Sequence, residues 1–237
     1  MNRVNNQTYL RSVQYSTDAN LQARIRLHEQ YSINNLDFHV WVFNHLQLPT
    51  SCRILEVGCG PGMLWRKNLD RIHPEWRVCL ADFSPGMIRT AQSHILPVYP
   101  HFTTAGLDIQ HIPFSEASFD VIIPNHMLYH VPDHPKAFGE IRRLLKPGGR
   151  FYASTNGQPH LEEMGELVTR FNPKCNNWGN RISTMSFTLE NGLDQLKSYF
   201  TQVTLHRYDD GLVVAKTEPL ADFINSLLKM ETWNGEI

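Results

Sequence analysis

Residues Ile54 to Gly62 read ILEVGCGPG: an apolar run carries one carboxylate, Glu56, and then gives way to glycines at positions 58, 60 and 62. Glycines after a strand let the backbone turn sharply and approach a ligand closely. Their amides, with the helix N-terminus that follows, favour negative groups. A dinucleotide loop uses the same chemistry, but its spacing is GxGxxG. Here the spacing is GxGxG, and Met63 stands where that pattern wants glycine. A pyrophosphate gains nothing from Glu56, whereas a ligand with an ammonium or another positive centre does. An amino acid joined to a nucleoside would use both the amides and the acid. A carboxylate buried without donors costs on the order of several kcal/mol, so Glu56 needs N–H partners. A structural glutamate capping the loop amides meets the same need.

Two more acids follow at the ends of later apolar runs. Asp82 closes VCLAD, roughly twenty residues past the glycine loop, where an acid can accept bonds from ribose hydroxyls. Asp108 closes AGLD; it can accept from an exocyclic amino group while the Ile109 amide reads a ring nitrogen. Each aspartate alone is also an ordinary turn residue. Three acids at three successive strand ends beside one glycine loop form a coherent ligand rim.

The elements that position them are legible in the periodicity. CRILEV, WRVCLAD, VYPHFTTAGLD, FDVIIPN and RFYAST supply five strands. Between them lie PGMLWRKNLDRI, SPGMIRTAQSHI with Ser84 as N-cap, and HPKAFGEIRRLL, which KPGG stops. Strands alternating with helices imply βαβ crossovers and a parallel sheet. Upstream, helical spacing from Leu21 to Leu46 predicts two helices with a break near Ser32 to Asn35, after a polar, flexible first twenty residues. Downstream, helices are expected near Leu161 to Phe171, over TLENGLDQLKSYF and over PLADFINSLLKM. TQVTLHRY and LVVAKT, flanking DDG, predict an antiparallel hairpin at the sheet edge. The chain thus divides into a helical cap or lid, residues 1–50, and a doubly wound α/β domain, 51–237, with an insertion at 158–185 that covers the site.

Composition narrows the function classes. The 237 residues are 41% hydrophobic, enough for one compact domain with additions. Lys and Arg total 22 against 23 Asp and Glu, without a basic run, which disfavours a nucleic-acid substrate. No apolar run reaches the length of a membrane span and the start lacks a signal-peptide core, so a cytoplasmic protein is expected. Cys52, Cys59, Cys79 and Cys175 show no CxxC spacing, and buried free thiols are the expected state of three of them. The twelve histidines show no HExxH or Cys/His pattern, so no bound metal is expected.

The stretch Glu56–Gly62 with ADFSPGM (Ala81–Met87), LDIQHIPF (Leu107–Phe114), SFDVIIPNHMLYHVPD (Ser118–Asp133) and LLKPGGR (Leu144–Arg150) resembles the class I S-adenosylmethionine-dependent methyltransferases, in their small-molecule branch. The resemblance runs from Cys52 to Thr155. It implies a Rossmann-like, seven-stranded, mostly parallel sheet whose last strand is antiparallel. It implies that Glu56, Gly58, Cys59, Gly60 and Gly62 wrap the methionine part of S-adenosyl-L-methionine. Asp82 would hold the ribose, Phe83 and Met87 would complete the nucleoside wall, Asp108 and Ile109 would read the adenine edge, and Asn125 and His126 would face the sulfonium. The acceptor is then a small molecule, methylated at O, N or C, by a monomer or homodimer. PNH at Pro124–His126 does not match the N/D-P-P-Y/F motif of amide and base N-methylation, and Asn125 is not the acidic ligand of metal-dependent catechol-type enzymes.

A base is needed only if the acceptor nucleophile carries a proton. His126 is the first candidate, with an ordinary imidazole pKa of about 6.5. His130 and Tyr31 are further candidates, each with a structural alternative: His130 holding a loop, Tyr31 packing the lid. Tyr129 reads as a cleft or packing aromatic, and Trp178 as a possible pocket residue. The runner-up function is a non-catalytic S-adenosylmethionine-binding sensor or partner subunit; an NAD-dependent oxidoreductase is disfavoured by the glycine spacing.

Overall fold

The computed structural model describes residues 5–173 and 185–228. Its centre is a parallel sheet of five strands: β1 (Arg53–Val57), β2 (Arg77–Asp82), β3 (Thr103–Gly106), β4 (Phe119–Pro124) and β5 (Leu145–Phe151), in the order β3-β2-β1-β4-β5. Every pairing is parallel, so each connection crosses over. The strand order reverses between β1 and β4, and the cleft beyond their carboxyl ends is where such sheets bind ligands.

Residue alternation splits the core in two. Ile54, Val78, Leu80, Val121 and Ile123 face one side, where they meet Phe43, Trp65, Ala91 and Ile95. Leu55, Cys79, Ala81 and Ile122 face the other, against Phe138, Ile141 and Leu144. Period-two alternation in buried strands makes this division unavoidable. Glu56 falls on the first side with Ile54, so its carboxylate is driven into the layer that holds Trp65. There it accepts a 2.7 Å bond from the Trp65 indole.

Eight α-helices of four or more residues surround the sheet among the described residues. They are α1 (Ala19–Tyr31), α2 (Phe38–His45), α3 (Met63–Arg66), α4 (Pro85–Ile95), α5 (His134–Leu144), α6 (Glu162–Phe171), α7 (Leu189–Lys197) and α8 (Thr217–Leu228). Ser84 caps α4, accepting from the Gly86 and Met87 amides, and Asp37 caps α2. A third apolar cluster, with Leu27, Met164, Val168 and Phe223, joins α1, α6 and α8.

Four expectations are corrected. The first twenty residues are not a free arm over their described part. Gln7–Tyr9 and a π-helical turn, Leu10–Gln14, dock on the body, with the Tyr15 carbonyl accepting from the Ser84 hydroxyl at 2.6 Å. The long helix expected after the glycine loop is short, because α3 ends at Arg66 and a 3-10 turn, Leu69–Arg71, follows. The fully buried Asn68 turns the chain between them, its amide donating to the Leu64 and His39 carbonyls. KPGG stops α5 but lies inside β5, where Gly148 (φ 76°) accompanies a bulge in the pairing with β4. Seven strands and an antiparallel last strand are not present among the described residues. The DDG segment instead docks on the break between α1 and α2: Ser32 Oγ donates to Asp210 at 2.7 Å, Ile33 N to the Gly211 carbonyl at 2.9 Å, and Val213 N to the Tyr31 carbonyl at 3.0 Å. Those contacts take up backbone groups that a hairpin would have paired. Trp178, Cys175 and much of the 158–185 insertion lie outside the described residues, while α6 forms where a helix was expected.

Trp65→Phe leaves the aromatic packing nearly intact but removes the donor to a buried carboxylate. The expected loss is about 1–3 kcal/mol of unfolding free energy, read by urea denaturation.

Candidate cofactor and acceptor site

Beyond the carboxyl ends of the strands lies a cavity of about 2170 Å³. Glu56, Gly58, Cys59 and Gly60 line it from β1 and the loop. Asp82, Phe83 and Met87 line it from β2 and α4, Asp108 and Ile109 from the segment after β3, and Asn125, His126 and His130 from the segment after β4. The sheet therefore brings twelve of the expected site residues to one space. Two do not reach it. Gly62, in the left-handed region at φ 78°, starts α3, and a side chain there would press on Ile95 Cγ1 at 3.1 Å. Tyr31 packs against the cluster of α1, α6 and α8, whose Met164 and Phe223 line the cavity, while Tyr31 itself is not among the lining residues.

The loop conformation needs its glycines. Gly58 sits at φ 70°, and a Cβ on it would lie 2.7 Å from Met127 Cγ. The Gly60 amide donates to Asp82 Oδ2 at 3.0 Å, and the Ser84 amide to Oδ1 at 2.7 Å. Asp82 thus ties the glycine loop to the start of α4. Burial pushes its pKa up to about 6 against the pull of the Ser84, Gly60 and Phe83 amides. Asp108 accepts from the Gln110 amide at 2.9 Å and from the Gln110 side chain at 3.1 Å.

Glu56 is 2% exposed, and burial raises its pKa to about 8 despite the Trp65 bond; the neighbouring Asp82 charge adds to the rise. The Asn125 amide draws Glu56 towards its charged form, yet Asn125 Nδ2 lies outside hydrogen-bonding geometry with any acceptor in the described residues. Its Oδ1 accepts from the Ser154 hydroxyl at 3.1 Å, which leaves the amide nitrogen as a spare donor at the cavity wall. The expected N–H donor to Glu56 is thus an indole rather than the loop amides.

His126 occupies the left-handed region at φ 49°, held by its amide bond to the Ser154 carbonyl at 3.1 Å. Its ring sits 4.8 Å from that of Phe38. Burial, with repulsion from His160, His39 and His28, pushes its pKa down to about 3. The imidazole is therefore neutral at ordinary pH and a weaker base than a free histidine, which corrects the expectation of a pKa near 6.5. His130 lines the cavity but is engaged: its Nε2 is 3.0 Å from the Tyr15 hydroxyl, and its carbonyl accepts from Gln7 at 2.8 Å. It ties the N-terminal turn to the body. Tyr129 also lines the cavity, and burial raises its pKa above the ordinary tyrosine range.

Sequence reasoning missed His28, His160 and Arg24. His28 and His160 stack with ring centroids 6.2 Å apart, and burial lowers both pKa values, His160 to about 4. The signal was present in α1, where Leu21, Arg24 and His28 recur at helical spacing and therefore share a face. Among the described residues no group of three or more His, Cys, Asp or Glu is placed to hold a metal ion. No helix there is long and apolar enough to cross a membrane. Cys52, Cys59 and Cys79 are buried free thiols, as expected.

The glycine loop, the acidic strand ends and the strand order meet their counterpart in known proteins. The family described as methyltransferase domain matches residues 55–153. Over those residues the chain is similar to a methyltransferase domain. It is 38% identical over 102 residues to the malonyl-[acyl-carrier protein] O-methyltransferase of Hahella chejuensis, covering 43% of this chain and 36% of that protein. It is 32% identical over 132 residues to the ubiquinone biosynthesis O-methyltransferase of Xanthomonas axonopodis pv. citri, covering 53% and 54%. The match thus spans only about a third to half of the length of these relatives. In fold it is similar to a protein from Methanococcus maripaludis assigned as an S-adenosyl-L-methionine-dependent methyltransferase, with TM-score 0.55 at 18% identity over 78% of this chain and 80% of that one.

A pH prediction follows from Glu56. Below its ordinary value of 4.5 the acid is protonated whether folded or not. Between 4.5 and about 8 the ligand-free folded chain keeps a proton that the unfolded chain releases, so stability falls as pH rises through this window. Glu56→Gln keeps an acceptor for Trp65 and removes the slope. Urea denaturation at about pH 5 and about pH 9 should show the variant gaining on the native chain by on the order of a few kcal/mol at the higher pH. Parallel curves at both pH values would mean that Glu56 is not held protonated.

Proposed function

We propose that this chain transfers a methyl group from S-adenosyl-L-methionine to O, N or C of a small-molecule acceptor, without a metal. The observation that carries the reading is the rim: Glu56, Asp82 and Asp108 stand at the ends of three neighbouring strands around one cavity, beside a glycine loop. The residues fit the cofactor. Asp82 Oδ2 accepts from the Gly60 amide and Oδ1 from the Ser84 amide, and each carboxylate oxygen has room for a second bond, so two ribose hydroxyls can be taken. Glu56 has a single indole donor and suits an ammonium group. Asn125 Nδ2 is a spare donor beside it. Asp108 and the Ile109 amide suit an adenine edge.

When bound, S-adenosylmethionine supplies an electrophilic methyl on a sulfonium. What remains for the chain is to bind, orient and exclude water, and positioning alone can lower a barrier by roughly 7–11 kcal/mol. α1 and α2 wall off the cavity above the loop. His126, neutral and at the wall, can hold an acceptor hydroxyl or amine by hydrogen bond and receive its proton as the nucleophile commits; its low pKa makes orientation the larger part of its role. His28 and His160 offer two more neutral imidazoles to a polar acceptor.

The polar lining beyond the rim, with His28, His126 and His160, supports an acceptor beside the cofactor and so an enzyme rather than a pure sensor. The names of the relatives, O-methyltransferases among them, support a small acceptor of biosynthetic type.

Label from methyl-labelled cofactor should move to at least one member of a panel of phenols, amines and acidic carbon compounds. Cofactor binding with no transfer to any member would favour the sensor. Asp82→Ala should weaken S-adenosylhomocysteine binding by about 1–3 kcal/mol in calorimetry; unchanged affinity in a folded variant would misplace the ribose. His126→Ala should lower turnover more than cofactor affinity, and the reverse outcome would make His126 a cofactor support.

A further inference from the structure

A half-buried cation in the cavity wall, Arg24, has a buried guanidinium nitrogen and no counter-ion among the described residues. On α1, Leu21, Arg24 and His28 share the face that looks into the cavity. Leu21 lies over the glycine loop, since a Cβ on Gly60 would be 3.4 Å from its Cδ2. His28 stacks on His160. At a rise of about 1.5 Å per residue, Arg24 stands roughly 4–5 Å along the axis from Leu21 and about 6 Å from His28. It is therefore positioned between the glycine loop and the imidazole end.

The guanidinium is held firmly but not neutralised. Arg24 Nε donates to the Asn20 carbonyl at 3.2 Å, and Nη1 lies 3.5 Å from the Tyr15 hydroxyl, with the guanidinium 5.4 Å over the Tyr15 ring. Tyr15 is itself fixed by His130 at its hydroxyl and by Ser84 at its carbonyl. Arg24 Nη2 is buried and has no hydrogen-bond partner among the described residues, and no carboxylate there forms an ion pair with Arg24. An unpaired buried donor on a charged group is costly, so a ligand acceptor is the economical completion. A guanidinium edge with spare N–H groups matches a carboxylate fork.

The same cavity holds the opposite defect. Glu56 is a buried acid with one donor and no cation. A ligand bearing a carboxylate and an ammonium on one carbon completes both at once. We propose that Arg24, positioned by Tyr15, binds the carboxylate of the amino-acid end of S-adenosylmethionine, with Glu56 taking its ammonium. This rests on the cofactor reading above and adds a residue from outside the matched domain to it.

The test compares S-adenosylhomocysteine with 5′-methylthioadenosine, which keeps the nucleoside thioether and lacks the amino-acid end. Calorimetry on the full chain should show Arg24→Gln losing at least about tenfold in affinity for S-adenosylhomocysteine, about 1.4 kcal/mol. Its affinity for 5′-methylthioadenosine should change less than about twofold, and Arg24→Lys should recover part of the loss. Retained binding of 5′-methylthioadenosine also reports that the variant is folded with its nucleoside site intact. Equal loss for both ligands would overturn the proposal and make Arg24 a brace for α1. Unchanged S-adenosylhomocysteine affinity would overturn it too. If the loaded variant then lost binding of 4-hydroxybenzoate, the carboxylate would be an acceptor's instead. A native chain that bound neither nucleoside would sink the functional reading itself, whereas native binding with an indifferent Arg24→Gln sinks only this assignment.

Discussion

Two carboxylates buried at the carboxyl end of a parallel sheet govern the rest of the site. Burial opposes their charge, and their proximity opposes it further. What keeps them there is a small set of fixed donors: one indole for Glu56, and loop and helix-start amides for Asp82. Those donors dictate local structure. Trp65 must sit under β1, which sets α3 immediately after the loop. The Gly60 amide must turn inward to Asp82, which requires the left-handed backbone of Gly58 and Gly60. The loop shape is thus as much a consequence of satisfying the acids as a means of approaching a ligand.

The N-terminal segment completes this arrangement from above. Ser84 binds the Tyr15 carbonyl, His130 meets the Tyr15 hydroxyl and accepts from Gln7, and Leu21 rests on Gly60. Gly86 leaves no space for a side chain against the Ser16 carbonyl. Each contact uses a residue that also serves the cofactor rim or its immediate support. Ser84 thus both caps α4 and latches the N-terminal turn onto it.

The sheet was legible because its strands are buried on both faces and short, with Gly, Pro and Asp at their ends. The helix start at Ser84 was legible for the same reason that caps work: its side chain takes orphan amides, and the structure adds Asp133 doing the same at α5. The acids of the rim were found from spacing, and the structure brings them to one cavity. The failures share a physical cause. The DDG turn looked like a hairpin because local turn chemistry is blind to a competing partner, here the α1–α2 break. The depressed pKa of His126 was invisible because it depends on burial and on three other imidazoles from distant segments.

That last point separates the cavity into two regimes. At the β1–β2 end, acids with raised pKa values await donors, and a cation or hydroxyl ligand lowers their energy. At the α1 and β4 end, imidazoles with lowered pKa values stay neutral, so each ring keeps one donor and one acceptor nitrogen. A positively charged acceptor would gain little from those rings, because desolvation already opposes positive charge there. A neutral or acidic hydroxyl acceptor gains a hydrogen bond without displacing a counter-ion. Its proton can pass to a ring as negative charge is drawn off to the new bond, which offsets the cost of charging an imidazole in that setting. The two ends of the cavity thus differ in which charge they tolerate, and the difference arises from burial at both ends.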